Sequence, residues 1–355
     1  MAELAHFKNF AKLKDTSIEF NDITVLAGKP GTGKSYVMKF MYAVDEMYYQ
    51  MQKNMLVDYT RNILSVHDNL PHDILLNRIN KTQVDKKNKP LFYMNNLIKS
   101  IFGHHEQISS NYIVRLNERE FSYQNSTFNV QGVALINNGI IKFYSQSIFV
   151  ETPLILELYK FMDKRAGKTP YHIESLLNIL DTDYSFTDEE QDEFIKEFTK
   201  KSKEVINGKI ESSGDSFIFN QEGGKNYDIL NASSGTKSIG LLQYLVTNKA
   251  LKKGSVLFWE EPEVHLHPEW QLKMVELFIE LMNAGVKIVF STHSPYMADY
   301  LNAISKKENY RDRISFNVLN EKDGVVTNHI LDDDNWNILQ SELMDTFEDI
   351  LWQYL

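Results

Sequence analysis

The octapeptide "GKPGTGKS", Gly28 to Ser35, constrains this chain more than any other stretch. It follows the β-rich run "DITVLA" and opens a long helical segment, giving the order strand, glycine turn, helix. Glycines at 28, 31 and 33 let the backbone bend its N–H groups around an anion, and the helix N-terminus adds favourable potential there. The pattern G-x-x-x-x-G-K-[ST] therefore predicts a phosphate loop made of Gly28, Lys29, Pro30, Gly31, Thr32, Gly33, Lys34 and Ser35. Lys34 is expected to contact the β- and γ-phosphates of a nucleotide, and the Ser35 hydroxyl to ligate Mg²⁺. ATP and Mg²⁺ are the expected cofactors.

A phosphate loop needs acids at the end of a neighbouring strand. The run "VLFWEE" supplies two: Glu260 for the magnesium side and Glu261 as general base for the attacking water. The rest of that stretch, "PEVHLHP", offers Glu263, His265 and His267, which could ligate a metal. No further His or Cys cluster accompanies them, so a separate metal site is the lesser reading. Further on, "STHSP" ends another β-rich run and resembles the switch histidine of one branch of P-loop enzymes. His293 is expected to hydrogen-bond the γ-phosphate or the water. In "ASSGTKS", Ser233, Ser234 and Gly235 open a helix. That turn suits a γ-phosphate presented by a second subunit. Taken alone it is also a good N-cap.

In this order, the P-loop, the serine-glycine turn, "EEPEVHLHP" and "STHSP" resemble the ABC-type ATPase domain of the OLD (overcoming lysogenization defect) family and its SMC/RecF-like relatives. The opening "FKNFAKLKDTSIEFNDITVLAGKPGTGKS" resembles that family's usual start. The resemblance implies an ATP-sandwich homodimer or higher oligomer, each nucleotide lying between one subunit's P-loop and the other's serine-glycine turn. It also implies that "HLHP" belongs to a subunit-contact loop. The chain departs from the family at several points. The turn reads "ASSGTK", unlike that of transporter ATPases, and the first acid is Glu260 where many relatives have Asp. The glutamine loop is represented only by Gln146 as a candidate metal-side residue. Only 62 residues follow His293, which leaves no room for the Toprim nuclease of OLD proteins.

By its resemblance to the ATPase component of two-part anti-phage systems, the chain is expected to be a dimeric switch ATPase that gates a separately encoded effector, such as a Toprim or HNH nuclease. Two alternatives stay open: a RecF/SMC-like repair ATPase that binds DNA directly, and a nuclease in its own right. The net charge of −10 argues against a broadly basic nucleic-acid surface, although the run Lys86 to Lys89 could touch phosphates. No apolar run approaches the ~20 residues needed to cross a bilayer, and the first residues lack a signal peptide's apolar core. The expected setting is cytoplasmic, with no membrane partner. The absence of cysteine excludes disulfides and thiolate zinc sites.

The expected fold is α/β, a P-loop NTPase of ABC-ATPase type. It has a mainly parallel sheet core, an N-terminal antiparallel β subdomain and an inserted helical lobe. One domain is expected, in four stretches. Residues 1–66 hold the first strands, the P-loop and a helix; residues 67–150 are a mixed helix/β insertion. Residues 151–215 form a helical lobe, charged and solvated between about Lys168 and Asn207, and 216–355 hold the serine-glycine turn, the acidic strand, the switch histidine and a C-terminal helix. Met38, Met41, Met47, Met51 and Met55 are expected to pack the core. "GHHEQ", Gly103 to Gln107, reads as a loop at a helix end.

Overall fold

A computed structural model of the chain describes residues 3–64, 89–133, 136–137, 140–141, 144–159, 161, 169–182, 184, 189–332 and 334–344. The chain opens with an antiparallel hairpin, β1 (Glu3–Phe10) and β2 (Leu13–Phe20), then β3 (Ile23–Ala27). Helix α1 (Lys34–Leu64) follows the glycine turn. Next come α2 (Lys89–Phe102), the single turn α3 (His105–Ile108) and a meander of β4 (Tyr112–Leu116), β5 (Arg119–Gln124) and β6 (Thr127–Gln131). The small pair β7 (Ile136–Asn137) and β8 (Ile140–Ile141) precedes β9 (Ile148–Val150). Helices α4 (Ile155–Leu158), α5 (Tyr171–Asp181) and α6 (Glu189–Ile206) lead to a small sheet of β10 (Gly208–Ser213), β11 (Ser216–Gln221) and β12 (Asn226–Asp228). Elements then alternate: α7 (Ser234–Thr247), β13 (Val256–Glu260), α8 (Pro268–Asn283), β14 (Lys287–Thr292) and α9 (Pro295–Ser305). A hairpin of β15 (Ile314–Lys322) and β16 (Val325–Ile330) follows, and the backbone is helical again over 337–344.

The main sheet runs β6-β5-β4-β1-β2-β16-β15-β3-β14-β13-β9. Its inner part, β9, β13, β14, β3 and β15, is parallel, as the alternation of strands and helices implied. The N-terminal strands form the expected antiparallel wing. The β15–β16 hairpin bridges β3 to β2, so the antiparallel wing continues the same mixed sheet of 11 strands. Every residue of β3 is buried because helices cover both faces of the parallel part. Alternate side chains enter opposite cores: Leu257, Trp259, Ile288 and Phe290 on one face, Phe258 and Val289 on the other.

Helix α1 lies over the second face, where Tyr42 meets the rings of Phe149 at 5.5 Å and Phe258 at 5.9 Å. Met38, Met41 and Met47 are buried there, and Met51 packs against the same cluster. Helices α7 and α8 cover the first face. The charged stretch expected to be solvated is so along one face only. Phe198 and Ser202 of α6 are buried, and Ser202 Oγ accepts a 3.1 Å bond from Gln243 Nε2 of α7. Helix α5 buries His172, Ser175, Leu176, Leu177, Ile179 and Leu180. In the turn at Gly103, His105 bonds Tyr112 and Asn95 at 2.8 Å, and burial holds its pKa near 4. Of the basic run 86–89, only the Lys89 backbone falls within the described residues, and the side chain of Met55 lies outside them. Among the described residues, no helix is long and apolar enough to cross a membrane.

Candidate functional site

The glycine turn sits between the C-terminal end of β3 and the start of α1. Gly28 has φ +135°, and a Cβ there would stand 2.2 Å from the Leu319 carbonyl oxygen of β15, so only glycine fits against that backbone. Gly31 and Gly33 also take positive φ, at 80° and 95°. Thr32 Oγ1 donates to the Lys29 carbonyl at 3.0 Å and tightens the bend. The Lys34 ammonium folds back over the loop, donating to the carbonyls of Gly28 at 2.7 Å and Lys29 at 2.9 Å. Burial lowers its pKa to about 8, while Glu261, Glu263, Glu342 and Glu260 pull the other way. A buried cation ringed by loop carbonyls and acids is suited to hold an anion.

The acids come from the end of β13, two parallel neighbours away. Glu260 pairs in register with Ser291 of β14, and the Ser35 hydroxyl is among the groups that favour its charged form. Burial pushes its pKa up to about 7; Lys39 opposes the rise and Glu151 adds to it. Its Oε1 is buried without a protein partner, and that orphaned oxygen beside the Ser35 hydroxyl fits a hydrated magnesium ion. Glu261 takes a left-handed backbone, φ +45°, with its N–H donating to the Ser291 carbonyl at 3.1 Å. A non-glycine residue pays about 1 kcal/mol or more for that conformation. The turn sends the second carboxylate away from the first, to 3.3 Å from His293 Nε2. Burial and the nearby Lys34 lower the His293 pKa, so a neutral imidazole is favoured.

Glu263 has a different task from the metal ligation considered for it. Its Oε1 accepts from Thr292 Oγ1 at 2.9 Å and from the His293 N–H at 2.6 Å, tying the turn after β13 to the end of β14. His267 caps α8, its Nδ1 accepting from the Glu269 N–H at 3.3 Å. Ser233 is the N-cap of α7, its hydroxyl accepting from Thr236 N at 3.1 Å. Ser234 opens that helix. A Cβ on Gly235 would come 3.3 Å from the His265 carbonyl and the Trp270 ring, so this turn leans on the "VHLHP" loop. Lys237, one turn on, is buried and ion-paired with Glu157 of α4 at 2.5 Å. Among the described residues, no hydrogen bond joins 233–235 to 28–35 of the same chain.

Gln146 does not lie at this site. It stands before the N-terminal end of β9, with Nε2 donating to Ser175 Oγ at 3.2 Å, beside Tyr49, Tyr144 and Tyr184. Because β9 runs parallel to β13, with Val150 opposite Trp259, the acid end is the other one. Glu151 occupies it. One of its oxygens meets Lys39 Nζ at 3.0 Å and the other His172 Nε2 at 2.9 Å, and the His172 bond holds its pKa down at about 2. The run "SIFVE" repeats the apolar-then-acid pattern of "VLFWEE", and that repetition was the available signal. Glu342 had none. It arrives from the helical stretch 337–344, accepting from Lys29 N at 3.4 Å and Asn320 Nδ2 at 2.5 Å.

Residues 64–299 match a protein family described as "AAA domain, putative AbiEii toxin, Type IV TA system". The chain belongs to this family. The matched stretch contains the serine-glycine turn, Glu260, Glu261 and His293, while the phosphate loop precedes it. No curated protein matches the chain. Among solved structures, the SMC head domain from Thermotoga maritima is 12% identical, with 93% of this chain and 99% of that one covered and a TM-score of 0.46. An SMC head bound to the C-winged helix domain of ScpA is also 12% identical, covering 95% and 99%, with a TM-score of 0.46. An SMC head with an extended coiled coil, bound to a ScpA domain and derived from Pyrococcus furiosus, is 13% identical over 96% and 99%, at 0.43.

Proposed function

We propose that the chain is an ATP-hydrolysing switch that closes as a dimer on nucleotide and gates a separate effector. The observation that carries the reading is the divergence of two adjacent carboxylates at one strand end. Glu260 feels the Ser35 hydroxyl at the start of α1, Glu261 meets His293, and both carboxylates act on Lys34. Ser35 and Glu260 are the residues that would hold magnesium, whose chemistry is to neutralise charge across the phosphates. Lys34 leaves its loop carbonyls for the phosphate oxygens. Glu261 accepts a proton from the attacking water while neutral His293 orients that water or the γ-phosphate. Among the described residues, Ser233, Ser234 and Gly235 make no hydrogen bond to their own P-loop, which favours their use on a nucleotide held by a second copy. The family's description names a toxin of a Type IV TA system, which favours an output of toxin type.

Two variants test this. Lys34→Ala is expected to weaken ATP binding at least ~100-fold by calorimetry, because the one buried cation in the loop is lost. Glu261→Gln is expected to keep ATP binding and lose at least ~100-fold in turnover, with a dimer accumulating by light scattering. Normal hydrolysis by Glu261→Gln would remove the general-base role.

A further inference from the structure

Glu151 is a second acid on the magnesium side, beside Glu260, and the side chains that hold it come from two different helices. Lys39, one turn after Ser35 on α1, takes one carboxylate oxygen at 3.0 Å. His172, from the second residue of α5, takes the other at 2.9 Å. The histidine is 2% exposed, and its ring meets Phe149 edge-on at 5.2 Å. Phe149 in turn lies beneath Lys39, whose ammonium is 5.8 Å from the ring centre. Both oxygens of Glu151 are therefore occupied, and the carboxylate has one orientation relative to Glu260. The Nδ1 of His172 is buried without a partner, so its hydrogen bonding is committed to Glu151 alone. A histidine present only to fill the core would not need a carboxylate partner aligned on Nε2.

We propose that His172 is a positioning residue for the magnesium side of the nucleotide site: it holds Glu151 beside Glu260, so that helix α5 sets how strongly the site takes magnesium-bound nucleotide. This rests on reading Ser35, Glu260 and the P-loop as a magnesium-nucleotide site. Without His172, Glu151 keeps only Lys39 and rotates about its side-chain torsions, so its charge is no longer fixed relative to Glu260. Loss of such outer partners costs roughly 10- to 100-fold in metal affinity in other sites.

The test uses the full chain and equilibrium binding of a fluorescent ATP analogue across a magnesium titration, with no turnover needed. His172→Ala is expected to raise the magnesium concentration for half-maximal binding about tenfold, leaving magnesium-free nucleotide affinity unchanged. His172→Gln, whose amide N–H can replace the imidazole donor, is expected to restore the wild-type midpoint to within about threefold. Glu151→Gln is expected to shift the midpoint as His172→Ala does. The double variant is expected to add nothing further. An unshifted midpoint in a folded His172→Ala protein overturns the proposal. Should His172→Ala not fold, the comparison of His172→Gln with Glu151→Gln decides: a His172→Gln midpoint as far displaced as that of Glu151→Gln overturns it. The underlying reading fails separately, if the wild type shows no magnesium-dependent binding.

Discussion

Replacing Glu260 with glutamine should stabilise the nucleotide-free protein, and only above a definite pH. The carboxyl is buried at the end of β13 with Oε1 unpartnered, and burial raises its pKa from 4.5 to about 7. Glu151 and Glu261 add to the rise, whereas Lys39 and the Ser35 hydroxyl oppose it. The folded-state pKa lies above the unfolded one. The favourable contribution is therefore complete below pH ~4.5 and is lost as pH rises through about 7. A shift of this size corresponds to about 3 kcal/mol of destabilisation once the group is ionised in the fold. Glutamine keeps the shape and a hydrogen-bonding oxygen and removes the charge. Thermal unfolding of both proteins without nucleotide at pH 8 should show Glu260→Gln more stable by about 2–3 kcal/mol, a few degrees in Tm for a chain of this length. At pH 5 the two should agree to within about 1 kcal/mol. Added magnesium-ATP should reverse the ranking, because the variant lacks the charge that would hold the ion. A constant offset at both pH values, or a variant less stable at pH 8, would refute the assignment of a charged, unpartnered buried carboxylate.

Gly28→Ala places a methyl 2.2 Å from the Leu319 carbonyl at a φ of +135°, so ATP binding should fall at least ~10-fold and Tm should drop, measured by calorimetry and circular dichroism. Trp259→Ala empties the largest fully buried side-chain position among the described residues and should cost about 3–5 kcal/mol in urea unfolding. Glu263→Ala removes the acceptor of both Thr292 Oγ1 and the His293 N–H. Turnover should fall ~10-fold or more while ATP affinity stays within about threefold, because His293 is released whereas Glu263 reaches Lys34 only through its charge.

How much of the site could be read in advance depended on how far its parts lie apart in the chain. The phosphate loop is local. A strand end, three glycines and a helix start within one octapeptide dictate its bend, so Gly28 to Ser35 took the expected form. Glu260, Glu261 and His293 were legible because each follows an apolar run, and parallel strands bring such ends to one edge of a sheet. What the runs did not carry was strand order. Placing β9 outside β13, parallel and with Val150 opposite Trp259, puts Glu151 at the site and Gln146 at the other edge. The same holds for the sheet as a whole: the alternation of elements implied the parallel centre, whereas the β15–β16 hairpin made the N-terminal strands part of it. His172 and Glu342 reach the site from helical segments that are distant in sequence. Their side chains could equally have been core or surface by periodicity alone. Residue type and spacing determined the glycine turn between β3 and α1, because that turn is built from consecutive backbone groups. Tertiary packing alone decided which acids share a site and what holds them, because those contacts are set by sheet register and helix docking between separate elements, from 21 residues apart for His172 and Glu151 to 313 for Lys29 and Glu342.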